Sequence, residues 1–238
     1  MAQPFLAATD VCFKPWDWLS VACYRDYIAI CSEFPLYTIS SAIFGGGAGE
    51  RRIFTNWRVP LHYRCDQPAA DAESFLKRRG LDTAVSVAML TAADLRLASV
   101  REIIAEQFRL FCCVTAGTSN AVRTDNRLPA FAETQPGTIN CLLMIDARVA
   151  EPALINAVVT ATEAKCAALQ DLNVTDGHGR TATGTSTDAI AVACSQRSAF
   201  AQTHLYAGPA SLLGNAVGKV VYEAVYEAVS AYKEKKTP

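Results

Sequence analysis

The 238-residue chain predicts an α+β fold, or a layered α/β one, with buried central strands covered by helices. An α-β-β-α sandwich is one arrangement that satisfies it. Three observations carry this. Residues 84–90, 109–115, 138–145 and 188–194 are short runs rich in Val, Leu, Ala, Phe or Cys. In the last run both alternate sets, Ile190-Val192-Cys194 and Ala189-Ala191-Ala193, are apolar, which suits a strand covered on both faces. Residues 152–172 and 211–233 instead repeat their apolar positions at helical spacing.

Taken in order, residues 1–30 are aromatic-rich and poorly periodic, and predict no regular element. Residues 36–44 and 52–59 read as strands flanking Gly45, Gly46, Gly47 and Gly49, a hairpin or glycine-rich loop. Pro60 and the polar residues 65–71 mark a turn, and residues 73–79 a short helix stopped by Gly80. A strand at 84–90 is followed by a helix at 94–106 and strands at 109–115 and 138–145. Pro152 suits the first turn of the helix 152–172. The loop 173–187 feeds the strand 188–194, the helix 211–233 closes the fold, and 234–238 is a tail. No long repeat or low-complexity linker divides the chain, so a single domain over 1–238 is the expectation.

Composition excludes several classes. With 22 Lys and Arg against 23 Asp and Glu, the net charge of −1 gives no basic surface for nucleic acid. No apolar run reaches the roughly 18 residues of a membrane span. The stretch 212–232 is interrupted by Lys219, Glu223 and Glu227, and the first residues lack a signal-like block. The expectation is a soluble, cytoplasmic protein, with a homo-oligomer left open. The nine cysteines are odd in number and irregularly spaced; Cys112, Cys113, Cys141, Cys166 and Cys194 sit in apolar runs, where a thiol acts as a small hydrophobe. His62, His178 and His204 show no metal-ligand spacing, so no metal and no cofactor are expected.

Chemistry concentrates in a few places. On the helix 152–172, Leu154, Val158, Ala161, Ala168, Leu169 and Leu172 form one stripe, and Lys165 falls inside it. An ammonium there must snorkel to water, find a buried anion or line a cavity. Glu163 lies roughly 160° round the helix on a polar face. Residues 183–188 bring hydroxyls and one carboxylate, Asp188, to the mouth of the strand 188–194. Asp188 reads either as a turn cap or as a group that acts as, or orients, a base. Gly184, Thr185 and Thr187, with Gly117, Ser119 and Asn120 after the strand 109–115, offer backbone and side-chain donors for an anion or a polarised carbonyl. Asn140, Asn56 and the loop glycines Gly46 and Gly47 add polar handles beside permissive backbone. Asp176-Gly177-His178-Gly179-Arg180-Thr181 partly mimics the D-x-H-x-x-G corrinoid signature, with Thr181 where the glycine belongs.

In order, these blocks resemble the adenosylcobinamide amidohydrolase family. The matching pieces are Ser40-Ser41-Ala42 with Gly45-Gly46-Gly47, Asn56 before Val59-Pro60, Thr91-Ala92-Ala93, and Thr115-Ala116-Gly117 with Ser119-Asn120-Ala121. They continue with Gly137-Thr138-Ile139-Asn140, Thr162-Glu163-Ala164-Lys165, Gly184-Thr185 with Thr187-Asp188-Ala189, and Gly208, Leu213-Gly214 and Val217-Gly218. The segment around Trp16 and Trp18 and the loop 122–136 depart from it. The resemblance implies a corrinoid-salvage hydrolase that cleaves the amide joining the aminopropanol arm to the corrin ring, the corrinoid being substrate rather than cofactor. A corrinoid carrier without hydrolysis is the alternative. On chemical grounds Lys165, Asp188 and Glu163 are the candidate catalytic residues, and Gly46, Gly47, Asn56, Gly117, Ser119, Asn120, Asn140, Gly184, Thr185 and Thr187 the candidate substrate-binding ones.

Overall fold

The most apolar runs of the chain become neighbours at the centre of one mixed sheet. The computed structural model describes residues 3–7, 10–125 and 137–236. Its elements in chain order are β1 (Val11–Trp16), β2 (Leu19–Cys23), β3 (Tyr27–Ser40), β4 (Gly47–Arg58), α1 (Pro68–Arg78), β5 (Ser86–Thr91), β6 (Ser99–Ile104), β7 (Arg109–Ala116) and β8 (Ala121–Val122). There follow β9 (Ile139–Asp146), β10 (Arg148–Val149), α2 (Glu151–Asp171), β11 (Gly184–Thr185), β12 (Ala189–Cys194), β13 (Thr203–His204) and α3 (Leu212–Lys236).

The sheet folds about β3, which is long enough to serve two leaves. Its first half pairs with β2 and its second half with β12, while β4 follows its other edge past an irregularity between Cys31 and Leu36. Beyond β12 lie β9, β7 and β6; beyond β4 lies β5, parallel to it. The leaves face one another across an inner core, in which Phe54, Val87 and Met89 meet Phe111, Cys113, Leu142, Met144, Ala191 and Ala193. Period-2 geometry sends the alternate residues outward. Ile139, Cys141, Leu143 and Ile145 of β9 pack with Val192 and Cys194 under α2 and α3. On the far side Phe75 and Leu76 of α1 cover Ala29 and Ala88. The layers are thus α-β-β-α, as expected.

Several expectations need correcting. Residues 94–106 are not a helix: Asp94 caps one 3-10 turn at Leu95–Leu97, and β6 then pairs antiparallel with β7. Residues 1–30 hold β1, β2 and the start of β3, so the aromatic segment is a strand pair whose Trp16 and Leu19 face each other across a tight turn. The short helix begins earlier, at Pro68, while Gly80 with φ +68 ends it as predicted. The last helix runs on to Lys236, beyond the 233 expected, with Lys235 bonded to Asp94. Of the divergent loop 122–136, residues 126–136 lie outside the described residues.

Candidate functional site

Strands β9 and β12 run parallel, with Ala189 opposite Asn140, so their first residues emerge side by side at one end of the sheet. Asp188 immediately precedes β12, and α2 lays Lys165 over the same end. Lys165 Nζ lies 2.5 Å from Asp188 Oδ2, with side chains 17% and 16% exposed. The cation in the apolar stripe has found an anion rather than the solvent. Asp188 is also the turn cap that the sequence offered as its other reading. Its Oδ1 accepts from Ile139 N at 2.9 Å and Thr185 Oγ1 at 2.5 Å, and its Oδ2 accepts from Thr185 N at 3.1 Å. Four donors around one carboxylate hold it as a fixed anion.

Gly184 is glycine for want of space. A Cβ there would lie 2.4 Å from Asp188 Oδ2 and 2.7 Å from Lys165 Nζ. The pair borders a cavity of about 270 Å³ between α2, α3 and the starts of β9 and β12, walled by Ile139, Cys141, Val158, Ala161 and Val221 among others. Apolar walls strengthen the electrostatic reach of the ammonium beside them.

Glu163 does not join this site. Two residues before Lys165, it turns to the opposite side of α2 and is exposed, as helical spacing requires. Gly117 N already donates to Thr138 O at 2.9 Å, so this donor is not free for an oxyanion. Asn120 Nδ2 donates to Ser186 Oγ at 2.8 Å, tying the loop after β7 to the loop before β12. Thr187 Oγ1 donates to Gly137 O at 3.0 Å. Asn56 and Asn140 face inward: Asn140 Nδ2 donates to Asn56 Oδ1 at 2.9 Å and Leu90 O at 2.8 Å, and Asn56 Nδ2 to Thr115 Oγ1 at 2.7 Å. At 3% and 1% exposure they hold the two leaves together rather than a ligand. Gly46 lies in the β3–β4 turn and Gly47 opens β4 opposite Ser40, and neither borders the cavities described here; a Cβ on Gly46 would meet Ala42 O at 2.3 Å. Asp176 accepts from His178 N, Arg180 N and the Arg180 guanidinium, so the corrinoid-like hexapeptide is a turn closed on its own carboxylate, with Arg123 and Asp125 bonded to its far end.

A larger cleft, about 480 Å³, opens at the same end of the sheet. Gly117, Ser119 and Gly137 line it, together with Arg58, Ala93, Asp94, Tyr232 and Lys235 among others. No sequence pattern pointed to Arg58, Tyr232 or Lys235, because they come from separate elements that only the folded chain assembles. The thiols offer no nucleophile here. Burial pushes Cys194 up to about 12 and Cys113 higher still, and Cys166, beside Lys165, is raised chiefly by burial as well. Among the described residues no three His, Cys, Asp or Glu side chains cluster as a metal set would.

The profile of the adenosylcobinamide amidohydrolases matches residues 16–237. The chain belongs to the adenosylcobinamide amidohydrolase family. An adenosylcobinamide amidohydrolase of Methanosarcina mazei is 33% identical over 199 residues, covering 81% of this chain and 88% of that protein. An uncharacterized protein of Methanocaldococcus jannaschii is 36% identical over 95 residues, 39% of this chain and 36% of its own. A crystal structure of a Pyrococcus horikoshii OT3 protein aligns over 87% of this chain and 77% of its own, with 10% identity and a TM-score of 0.43, a likeness too distant to bear on the site. The blocks that resemble this amidohydrolase family supply Ala92, Ala93, Gly117, Ser119 and Gly137 to the cleft and Lys165 and Asp188 to the cavity.

Proposed function

We propose that this chain hydrolyses the amide joining the aminopropanol arm of adenosylcobinamide to the corrin ring, releasing adenosylcobyric acid and the amino alcohol. Membership of the amidohydrolase family supports the reaction, and the Lys165–Asp188 pair beside a cavity supports the place. Amide hydrolysis needs a positive group where the tetrahedral oxyanion forms and a proton for the leaving amine. Lys165 has three N–H donors, and Asp188 takes one of them. In this reading the remaining donors serve the scissile carbonyl. Water attacks the carbonyl carbon, the oxygen becomes an alkoxide beside the ammonium, and the C–N bond breaks as Lys165 passes a proton to the departing nitrogen. The proton lost by the attacking water restores the ammonium, so the cycle balances.

Asp188, with its lone pairs engaged by four donors, orients Lys165 instead of acting as the base. The test is incubation with adenosylcobinamide and mass spectrometry of the products, for the native chain and for Lys165→Met. The expected result is cobyric acid from the native chain, and at least a 100-fold loss of turnover in the variant while it still binds cobinamide. Binding by the native chain without cobyric acid would make it a carrier and overturn the reading.

A further inference from the structure

Ser41 follows the last residue of β3 and lines the Lys165 cavity, yet the chemistry assigned to Lys165 and Asp188 makes no use of it. Two bonds to a single residue of β12 hold it. Ser41 N donates to Ile190 O at 2.9 Å, and Ile190 N donates to Ser41 Oγ at 3.0 Å. Ser40 Oγ donates to the same Ile190 carbonyl at 3.0 Å. Backbone and side chain of Ser41 are thus both tied to Ile190, which holds the hydroxyl in one staggered position.

A serine hydroxyl carries one donor and two acceptor lone pairs. Ile190 N–H occupies one lone pair, and among the described residues no acceptor takes the hydroxyl hydrogen. A backbone N–H donating into the oxygen also polarises the O–H bond, so this hydroxyl donates more strongly than a free one. Its place suits an amide. Asp188 and Ile190 both line the cavity and lie two residues apart, about 7 Å in extended chain. Lys165 Nζ rests on Asp188 at one end of that span, and Ser41 Oγ rests on Ile190 at the other. Donors from the two ends of so short a span can converge on one oxygen between them. Nothing in the cavity takes the Ser41 proton. Lys165 is itself a donor, Asp188 has its lone pairs engaged by four donors, and among the described residues no histidine lines the walls.

We propose that Ser41 is a catalytic residue of the amide hydrolysis. It donates its hydroxyl hydrogen to the scissile carbonyl oxygen from the side opposite Lys165 and holds that oxygen as it becomes an alkoxide. No bond to Ser41 forms, and its proton stays on Oγ throughout. The inference rests on the hydrolysis proposed above. Its test is turnover of adenosylcobinamide by Ser41→Ala, with kcat and KM read separately, and denaturing mass spectrometry of the native chain during turnover. Removing one oxyanion donor should lower kcat about 100-fold and leave KM and Tm close to native, because the bond strengthens only as charge develops. If Ser41→Ala melts well below the native chain, Ser41→Cys, which offers a weaker donor, is read for the same fall in kcat. A fall in kcat of about threefold or less overturns the assignment, as does a loss confined to KM, which marks binding alone. A corrinoid ester on Ser41 overturns it as well, by making the residue a nucleophile. Failure of the native chain to release cobyric acid overturns the hydrolysis instead.

Discussion

Gly184 shows what a single missing methyl group can do. A Cβ at this position would clash with both partners of the ion pair, so Gly184→Ala must push Asp188 and Lys165 apart or displace β11. Overpacking of this kind costs roughly 1–3 kcal/mol, and here the strain falls on the pair itself. The expected outcome is a drop in kcat of at least tenfold, with cobinamide binding largely kept, as steady-state kinetics and spectroscopic titration would show. Full activity in Gly184→Ala would mean that the pair tolerates movement and does not carry the chemistry. The thiols give a second check. Burial raises Cys113 and Cys194, so neither should react with a thiol reagent at pH 8 until the chain is unfolded in denaturant. Rapid labelling of either in the native protein would contradict the buried positions described here. Lys165 was legible because a charge in an apolar stripe is a local contradiction that periodicity exposes. Its partner was legible as a strand-end carboxylate, but the distance between them was not, since the two lie 23 positions apart with a loop between. Glu163 was a wrong extension of the same reasoning, as its own helical angle already indicated.

Among the elements, the segment 94–106 misled most. Leu, Ala, Arg and Glu suit a helix, and β6 shows alternation only in its outer half, where Arg101, Ile103 and their neighbours differ in exposure. Pairing with the almost wholly buried β7 decides the matter, and that contact is invisible in the segment's own residues. Asp94, at its start, joins the 3-10 turn to α3. It caps the 3-10 turn through Arg96 N, grips the Arg96 guanidinium and accepts from Lys235 Nζ at 2.6 Å near the end of α3. The Arg96 guanidinium, ahead of Lys235, holds its carboxyl well below the usual range, while partial burial works the other way. A carboxyl lowered in the folded state stabilises the fold above its unfolded value, near 3.9, and loses that contribution as pH falls below it. Asp94→Asn should therefore lower Tm at pH 7 by roughly 2–4 °C, with the gap to the native chain closing below about pH 4. A gap that stays constant from pH 7 to pH 3 would show that the charge of Asp94 is irrelevant and only its shape matters.

For the whole molecule, the question is what keeps two facing leaves in register when their strands lie far apart in the chain. The apolar runs made β5, β7, β9 and β12 foreseeable as strands, but the curl depends on β3 changing partners midway, which no local pattern encodes. Asn56 and Asn140 were read as handles for a substrate, because an amide at a buried strand's end demands partners. The partners turned out to be each other. Asn140 spans the gap between β9 and the other leaf, bonding Asn56 on β4 and the carbonyl of Leu90 on β5, while Thr138 Oγ1 lies 3.1 Å from its own Oδ1. Asn140→Leu would keep the volume and strand Asn56 Oδ1 and Leu90 O without donors. Unsatisfied buried acceptors cost about 1–3 kcal/mol each, so a loss of roughly 2–4 kcal/mol and a fall in Tm of about 5–15 °C are expected in thermal unfolding. The same link steadies the start of β9, where Ile139 lines the Lys165 cavity and donates to Asp188. Loosening it should therefore also lower kcat/KM for adenosylcobinamide at temperatures where the variant is still folded. Stability matching the native chain would show that the amide pair is dispensable to the union of the leaves. Lost stability with unchanged kinetics would show instead that β9 alone keeps Ile139 against Asp188.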